Sequence, residues 1–337
     1  MTSEFAGGNT KHEESDSYGF YDRLKAQFPS QILADITEVC NLGCVHCPHP
    51  EFKKSEHYGA RYLDPELNAK MVDEVKAHGQ GLTQYIRYAS NGEPLVHPQG
   101  YDMIEYAAIN SGVYVTLTTN GTIMNERRTQ RLLESKVHMI DISIDAYSPE
   151  VYAGIRVGGD LDVTRTNVLK LISWIRESKS NTKVVVSFVE QPQNQHETAD
   201  FESYWKDQGA DCVVIRRLHS CSGAKTNLAE IKRLDNHKIE RRPCLYPWER
   251  IVLNARGDLA FCPSDWVHGS FISNYKETTI LETWQGEFYQ QLRNAHLTNR
   301  YQGHSFCGQC PDWEATRWPG KGRSYANMVE EFIEEAF

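Results

Sequence analysis

No stretch of the 337-residue sequence approaches the roughly 20 consecutive apolar residues that a membrane-spanning helix needs, and its first residues hold no secretory apolar segment. Positive charge is also scarce, with 36 Lys and Arg against 45 Asp and Glu and a formal charge of −9. Such a balance exerts no long-range pull on nucleic acid or an anionic membrane, so neither is expected as a partner. A small-molecule substrate and a cytoplasmic location are expected instead. What the sequence does have is cysteine, nine in all. Disulfides are rare in a reducing compartment and an odd number cannot all pair, so the cysteines are read for metal or redox chemistry.

Residues 1–20 are polar and aperiodic, the composition of a disordered tail. From residue 32 onward, β-rich runs at 32–39, 84–90, 113–119, 139–146, 183–190 and 212–219 alternate with stretches of helical periodicity such as 64–79 and 162–178. Strand-helix repeats in series predict an α/β fold with a parallel sheet curled into a partial (β/α)6 TIM-like barrel over residues 21–225. In the fourth run Ile140, Ile142 and Ile144 alternate with Asp141, Ser143 and Asp145. A sheet merely buried on both faces would be apolar on both, so the polar face suggests a lumen that holds a ligand. A hydrogen-bonded polar core without ligand is the alternative.

Residues 226–337 break the pattern and form a smaller second domain with four further cysteines. It contains a hairpin over 250–262 that turns at Arg256-Gly257-Asp258, and a helix over 278–296 with Ile280, Leu281, Trp284, Phe288 and Leu292 on its core face. The terminal 328–337 segment reads as an amphipathic helix.

Cys40, Cys44 and Cys47 lie just beyond the carboxyl end of the first strand, where parallel barrels build their sites. Thiolates at this density select zinc, copper or an iron-sulfur cluster. Zinc would take His46 or His49 as its fourth ligand. A four-iron cubane normally takes four cysteines, so three leave one iron open to a small molecule.

The C-x3-C-x2-C spacing ahead of a barrel resembles the radical S-adenosylmethionine (SAM) superfamily. That resemblance implies a 4Fe-4S cluster on Cys40, Cys44 and Cys47 whose open iron is chelated by SAM, and a 5'-deoxyadenosyl radical that abstracts hydrogen from substrate. "NGEP", comprising Asn91, Gly92, Glu93 and Pro94, is similar to the family's segment for the methionine amino group. "ISIDA" resembles the segment whose serine, here Ser143 with Asp145 nearby, reaches the ribose or carboxylate. "TTNG" puts Asn120 at the barrel mouth, and His46 fills the aromatic position beside adenine. The resemblance also implies a reducing partner such as flavodoxin or ferredoxin.

The later cysteines, Cys244, Cys262, Cys307 and Cys310, have the number a closed cubane needs, with a zinc ribbon as the competing reading. Their spacing resembles the SPASM, or twitch, domain that carries an auxiliary 4Fe-4S cluster, and within that group the 2-deoxy-scyllo-inosamine dehydrogenases. This implies oxidation of an alcohol on a sugar, aminocyclitol or nucleoside.

Two cysteines remain. Cys212 begins the sixth strand and reads as structural, while Cys221 follows that strand and could face the cavity. A thiol there could return a hydrogen atom to the substrate, which makes the protein an epimerase. A dehydrogenase instead needs a base, for which Glu190, His219 and Arg216 are candidates at strand ends. Arg216 and Arg217 are adjacent in a strand, so one faces inward and the other outward. Arg156 and Arg165 could bind an anionic group or be surface charge. The reading from a different class is a non-enzymatic zinc-binding protein.

Overall fold

The computed structural model describes residues 27–89, 91–236, 241–313 and 325–336, so the tail expected at residues 1–20 lies outside the described residues. The first part runs β1 (Gln31–Ala34), α1 (His49–Phe52), α2 (Pro65–His78), β2 (Tyr85–Tyr88), α3 (Gly100–Asn110), β3 (Tyr114–Thr119), α4 (Glu126–Glu134), β4 (Met139–Ser143), α5 (Pro149–Ile155), α6 (Leu161–Ser178), β5 (Lys183–Glu190), α7 (Thr198–Asp207) and β6 (Cys212–Arg217). It continues with α8 (Thr226–Asn236), α9 (Tyr246–Glu249), β7 (Arg250–Leu253), β8 (Asp258–Ala260), β9 (Phe271–Asn274), α10 (Ile280–Gln285), α11 (Glu287–Thr298), α12 (Ser305–Gln309) and α13 (Tyr325–Ala336). All six strands expected from the alternation are present.

Two of the long helices start where the sequence supplies a cap. Asp64 accepts the Glu66 amide at 3.0 Å at the head of α2, with Pro65 as the first helical residue. Asp160 does the same for α6, accepting from Asp162 and Val163 at 2.9 and 3.1 Å. Between helices and sheet, Ile140, Ile142 and Ile144 pack with Met71, Val72, Val75, Val168 and Leu171 in one buried core. Each such side chain contributes about 2 kcal/mol by leaving water.

One nine-stranded sheet runs through the molecule in the order β6-β5-β4-β3-β2-β1-β7-β8-β9. Strands β1 to β6 pair in parallel, and β7 extends the array by pairing in parallel with β1, Gln31 opposite Arg250 through Ala34 opposite Leu253. The predicted hairpin β7–β8 follows antiparallel, with Gly257 at φ +80° in its turn. The first strand of the partial barrel is thus an interior strand whose outer edge the second part of the chain covers.

The helix predicted over 278–296 is two helices, α10 and α11, broken at Gly286, whose ψ of 168° is extended. A Cβ there would lie 2.9 Å from the Glu282 carbonyl oxygen, which favours glycine at the break. The expected core face survives, with Ile280, Trp284 and Leu292 fully buried and Leu281 and Phe288 packed against them.

The helix read at 328–337 begins earlier, as α13, and covers the amino-terminal ends of the barrel strands. Its Ala326, Met328, Val329 and Phe332 pack against Tyr85, Tyr114, Met139 and Val185, with Cys212 alongside. Above them the lumen is polar but occupied by the protein itself. Asp141 pairs with Arg216 at 2.7 Å and Arg87 at 3.4 Å and accepts the Ser187 hydroxyl, while Arg87 lies 3.7 Å above the Tyr325 ring. At this level the hydrogen-bonded polar core replaces the ligand expected in the lumen. Among the described residues no helix is long and apolar enough to cross a membrane.

Candidate active site and cysteine centres

Backbone bonds to the end of α5 pin the loop of the first three cysteines. Gly43 N donates to Val157 O at 2.8 Å and Val45 N to Ile155 O at 3.0 Å, while Cys47 N closes a turn onto Cys44 O at 3.1 Å. The Cys44 side chain is buried and those of Cys40 and Cys47 are half-buried. Burial pushes the Cys40 thiol up to about 12, and it raises Cys44 and Cys47 as well, with Cys44, Cys221 and Cys40 near enough to Cys47 to add to its rise. Thiols this reluctant to ionise become ligands only beside a strong positive charge such as a metal centre. No group of three or more His, Cys, Asp or Glu side chains among the described residues converges as one metal ion requires. Three sulfurs supply three corners of a four-iron cubane and leave the fourth for a further ligand.

Behind Cys44 stands a buried charge pair. Arg156, 6% exposed, donates Nη1 to Cys44 Sγ at 3.6 Å and lies 2.5 Å from Asp145 Oδ2 through Nη2. Burial alone would ease its proton off, but Asp145 and Cys44 more than offset that and raise its pKa. Asp145, at φ +66°, accepts Val189 N at 2.7 Å on its other oxygen and lies 3.6 Å from His46 Nε2. Burial lowers the His46 pKa to about 4, so its ring is neutral at the pH of a cell. Asp145, expected among the cofactor-binding residues, is therefore occupied by Arg156 and backbone and buttresses the loop. Arg165, by contrast, bonds the Tyr147 carbonyl near the surface.

The Asn91–Pro94 loop crosses beneath the exit of β1. A Cβ on Gly92 would lie 2.1 Å from Thr37 O and 2.7 Å from Val39 O, so only glycine fits this crossing. Glu93 is buried, caps the short 3-10 turn Pro94–Val96, and accepts from Leu95 N (3.1 Å), Thr119 Oγ1 (2.7 Å) and Asn120 N (2.8 Å). Asn120 reaches Asn41 in the cysteine loop at 2.9 Å. The Asn91 amide donates to the Asp265 carbonyl at 3.0 Å, which ties this loop to the second part of the chain. The Ser143 hydroxyl, half-buried at the end of β4, has no hydrogen-bond partner among the described residues. The Gly92 crossing sets the Asn91–Pro94 loop against the chain that leads into Cys40, and the uncommitted Ser143 hydroxyl at the end of β4 fits a contact to bound SAM.

At the exit of β6 the expectations divide. Glu190 is exposed and accepts from Thr198 at 2.9 Å, and Arg216 is held by Asp141 and by Ser187 at 3.0 Å, so neither strand-end candidate is a free base. Arg217 is the outward partner. His219 opens onto a cavity, but its Nδ1 accepts Cys221 N at 3.1 Å. Its lone pair is thereby spent, and burial lowers its pKa, so the neutral ring offers an Nε2–H donor and no base. Cys221 and Ser222 both have positive φ, 52° and 57°. Asp312 holds that strained turn, accepting Ser220 N (3.1 Å), Ser220 Oγ (2.7 Å), Ser222 N (2.8 Å) and Lys232 Nζ (2.6 Å). Nothing in the sequence singled out Asp312, because its partners lie some ninety positions away. Burial pushes the Cys221 thiol up to about 12, so it stays protonated.

Cys244, Cys262, Cys307 and Cys310, far apart in sequence, line one cavity of about 70 Å³ together with His219 and His296. Burial pushes Cys244 up to about 12 and raises the other three as well. Ser222 Oγ lies 3.6 Å from Cys262 Sγ, and Arg241 donates to the Gly308 and Cys307 carbonyls at 3.0 and 2.6 Å. Four thiols around one void, Cys307 buried and the other three half-buried, fit a closed cluster.

Comparison with known proteins agrees with both centres. Residues 35–201 match the Radical SAM superfamily, and residues 244–311 match SPASM, an iron-sulfur cluster-binding domain. A probable GTP 3',8-cyclase of Methanocaldococcus jannaschii is 28% identical over 65% of this chain and 70% of its own length. Another, from Methanococcus maripaludis, is 30% identical over 41% of this chain, a match that spans only 43% of that relative. The structure of BtrN in complex with AdoMet and 2-DOIA aligns with a TM-score of 0.56 at 15% identity, over 83% of this chain and 92% of that one. Streptococcus suis SuiB bound to the precursor peptide SuiA aligns with 0.62 at 14% identity, over 90% and 73%. At those identities the likeness is one of fold. The first domain implies a 4Fe-4S cluster with SAM, and the second implies further iron-sulfur. A radical SAM domain followed by a SPASM iron-sulfur domain places the chain in the radical S-adenosylmethionine superfamily.

Proposed function

We propose that the protein is a cytoplasmic radical SAM enzyme that inverts a carbinol carbon of a small hydroxylated substrate, a sugar, aminocyclitol or nucleoside, with Cys221 returning the hydrogen atom. Cys40, Cys44 and Cys47 hold the open cluster, and Cys244, Cys262, Cys307 and Cys310 hold the auxiliary one. His46, Asn91, Gly92, Glu93, Pro94, Asn120 and Ser143 form the SAM pocket, with Ser143 offering its uncommitted hydroxyl and Gly92 shaping the loop. The domain boundary falls near residue 225. When bound, the first cluster and SAM supply abstraction of a hydrogen atom from substrate.

The observation that carries this reading is the position of Cys221. Its thiol is half-buried and near Cys47, with burial raising its pKa, on a turn that Asp312 anchors between the two cysteine sets. The bases that an oxidation would need are meanwhile engaged elsewhere. An S–H bond is weaker than a C–H bond, so transfer of hydrogen from Cys221 Sγ to a carbon-centred radical runs downhill. The sulfur left behind takes an electron from a low-potential donor of the flavodoxin or ferredoxin class and a proton from solvent.

The test is to incubate the reconstituted, reduced protein with SAM and candidate sugars, aminocyclitols and nucleosides in D2O. Inversion predicts an isomeric product bearing a single deuterium at the inverted carbon. Cys221→Ala should lose that product while 5'-deoxyadenosine still forms. A ketone made by wild type and variant alike would replace this reading with alcohol oxidation.

A further inference from the structure

His296, in α11, is 3% exposed and lines the cavity of the four later cysteines. Its Nδ1 accepts the backbone N–H of Cys244 at 3.2 Å, and the Tyr301 hydroxyl lies 3.4 Å from the same nitrogen. A backbone amide can only donate, so Nδ1 carries the lone pair and Nε2 carries the hydrogen. That Nε2 is buried and has no hydrogen-bond partner among the described residues. An N–H buried without an acceptor costs about 1–3 kcal/mol, and native interiors rarely tolerate it unless something beyond the chain accepts the bond. The same tautomer argues against His296 as a metal ligand. A ligating Nε2 would need the hydrogen on Nδ1, where it would meet the Cys244 N–H.

We infer that His296 is a positioning residue for the auxiliary cluster, donating its Nε2–H to a sulfur of that cluster and raising the cluster's reduction potential. The inference rests on the assignment of Cys244, Cys262, Cys307 and Cys310 to that cluster. A hydrogen bond to sulfur stabilises the more negative, reduced form, which is how protein donors tune iron-sulfur potentials. Arg241, which lines the same cavity, has its Nη1 and Nη2 committed to the carbonyls of Gly308 and Cys307, while its buried Nε is also without a partner among the described residues. His296 is the neutral donor of the two.

The experiment is a redox titration of the reconstituted full-length protein, followed by EPR, with iron counted for each variant. His296→Leu should lower the auxiliary potential so that reduction becomes about tenfold less favourable, about 59 mV for one electron, with iron content unchanged. His296→Gln, whose amide N–H can reach the place of Nε2, should recover most of the shift. Pulsed EPR of the wild type should find an exchangeable proton coupled to the auxiliary cluster, absent in His296→Leu; this keeps the test alive if that variant folds poorly. Equal potentials in all three proteins, or no exchangeable coupling in the wild type, overturns the inference. Failure of the cluster assignment looks different, because Cys262→Ala would then leave the iron count unchanged.

Discussion

Cys40, Cys44 and Cys47 come from eight consecutive residues, whereas Cys244, Cys262, Cys307 and Cys310 come from segments spread between residues 244 and 310. The first set is one loop laid over a buried ion pair, Arg156 with Asp145, and fastened to the barrel by backbone bonds. The second is a cavity whose walls come from the loops before β7 and after β8 and from α12, lined by the neutral donors His296 and Ser222 with Arg241 behind them. Three thiols in a local loop leave one corner of a cubane for a further ligand, whereas four thiols around one void supply all four corners.

The hardest test of that division is to remove one centre at a time. Cys40→Ala should abolish 5'-deoxyadenosine formation outright and remove about four irons, one cubane, per chain. Cys262→Ala should remove a similar amount of iron yet leave some 5'-deoxyadenosine production, read by chromatography of single-turnover mixtures. If both variants are equally dead, the centres are not separable and the comparison fails.

Arg156→Met comes next in size. It strands the Asp145 carboxylate in the interior, and breaking a buried pair from one side costs about 3–5 kcal/mol. Thermal unfolding should report a lower Tm, with cluster loading impaired at the first centre only.

Acid should act on both centres through histidine. His46 and His296 each have a pKa lowered by burial from 6.5 to about 4 in the fold, so between those values the unfolded chain binds more protons than the folded one. Stability is therefore complete above pH 6.5 and falls as pH drops toward 4, which Tm measured across that window checks. His296→Gln should flatten part of the slope.

The smallest effect is local. Asp312→Asn weakens the bonds to Ser220, Ser222 and Lys232 and should cost about 1 kcal/mol. Its signature is faster alkylation of Cys221, followed by peptide mass spectrometry. An unchanged rate would mean that Asp312 does not position the thiol.

What could be read from the sequence follows the same division. The first cysteine loop and the six barrel strands were legible because each is a short-range pattern, ligand spacing in one and alternation in the other, whereas Gly92 entered only through the resemblance of NGEP to the family segment. The failures share a cause as well. Glu190, Arg216 and His219 were placed correctly at strand ends, but a strand-end position does not say which partner claims the side chain. Asp141 and Thr198 claim the first two, and a backbone amide two residues on claims the third. Asp312, His296 and the pairing of β7 with β1 stayed invisible because their partners are set by tertiary contact. The break at Gly286 was passed over because apolar periodicity continues across it.

Pairing of β7 with β1 makes one hydrogen-bonded array of both halves of the chain. The chain leaves β1 toward one metal centre and approaches β7 from another, and the two strands lie side by side in fixed register. The sheet is then a ruler, in which the spacing between centres is set by backbone geometry with no hinge along that path. Evolution can change the substrate through the loops above this ruler, but it cannot exchange the second half for a foreign module without supplying a new neighbour for β1.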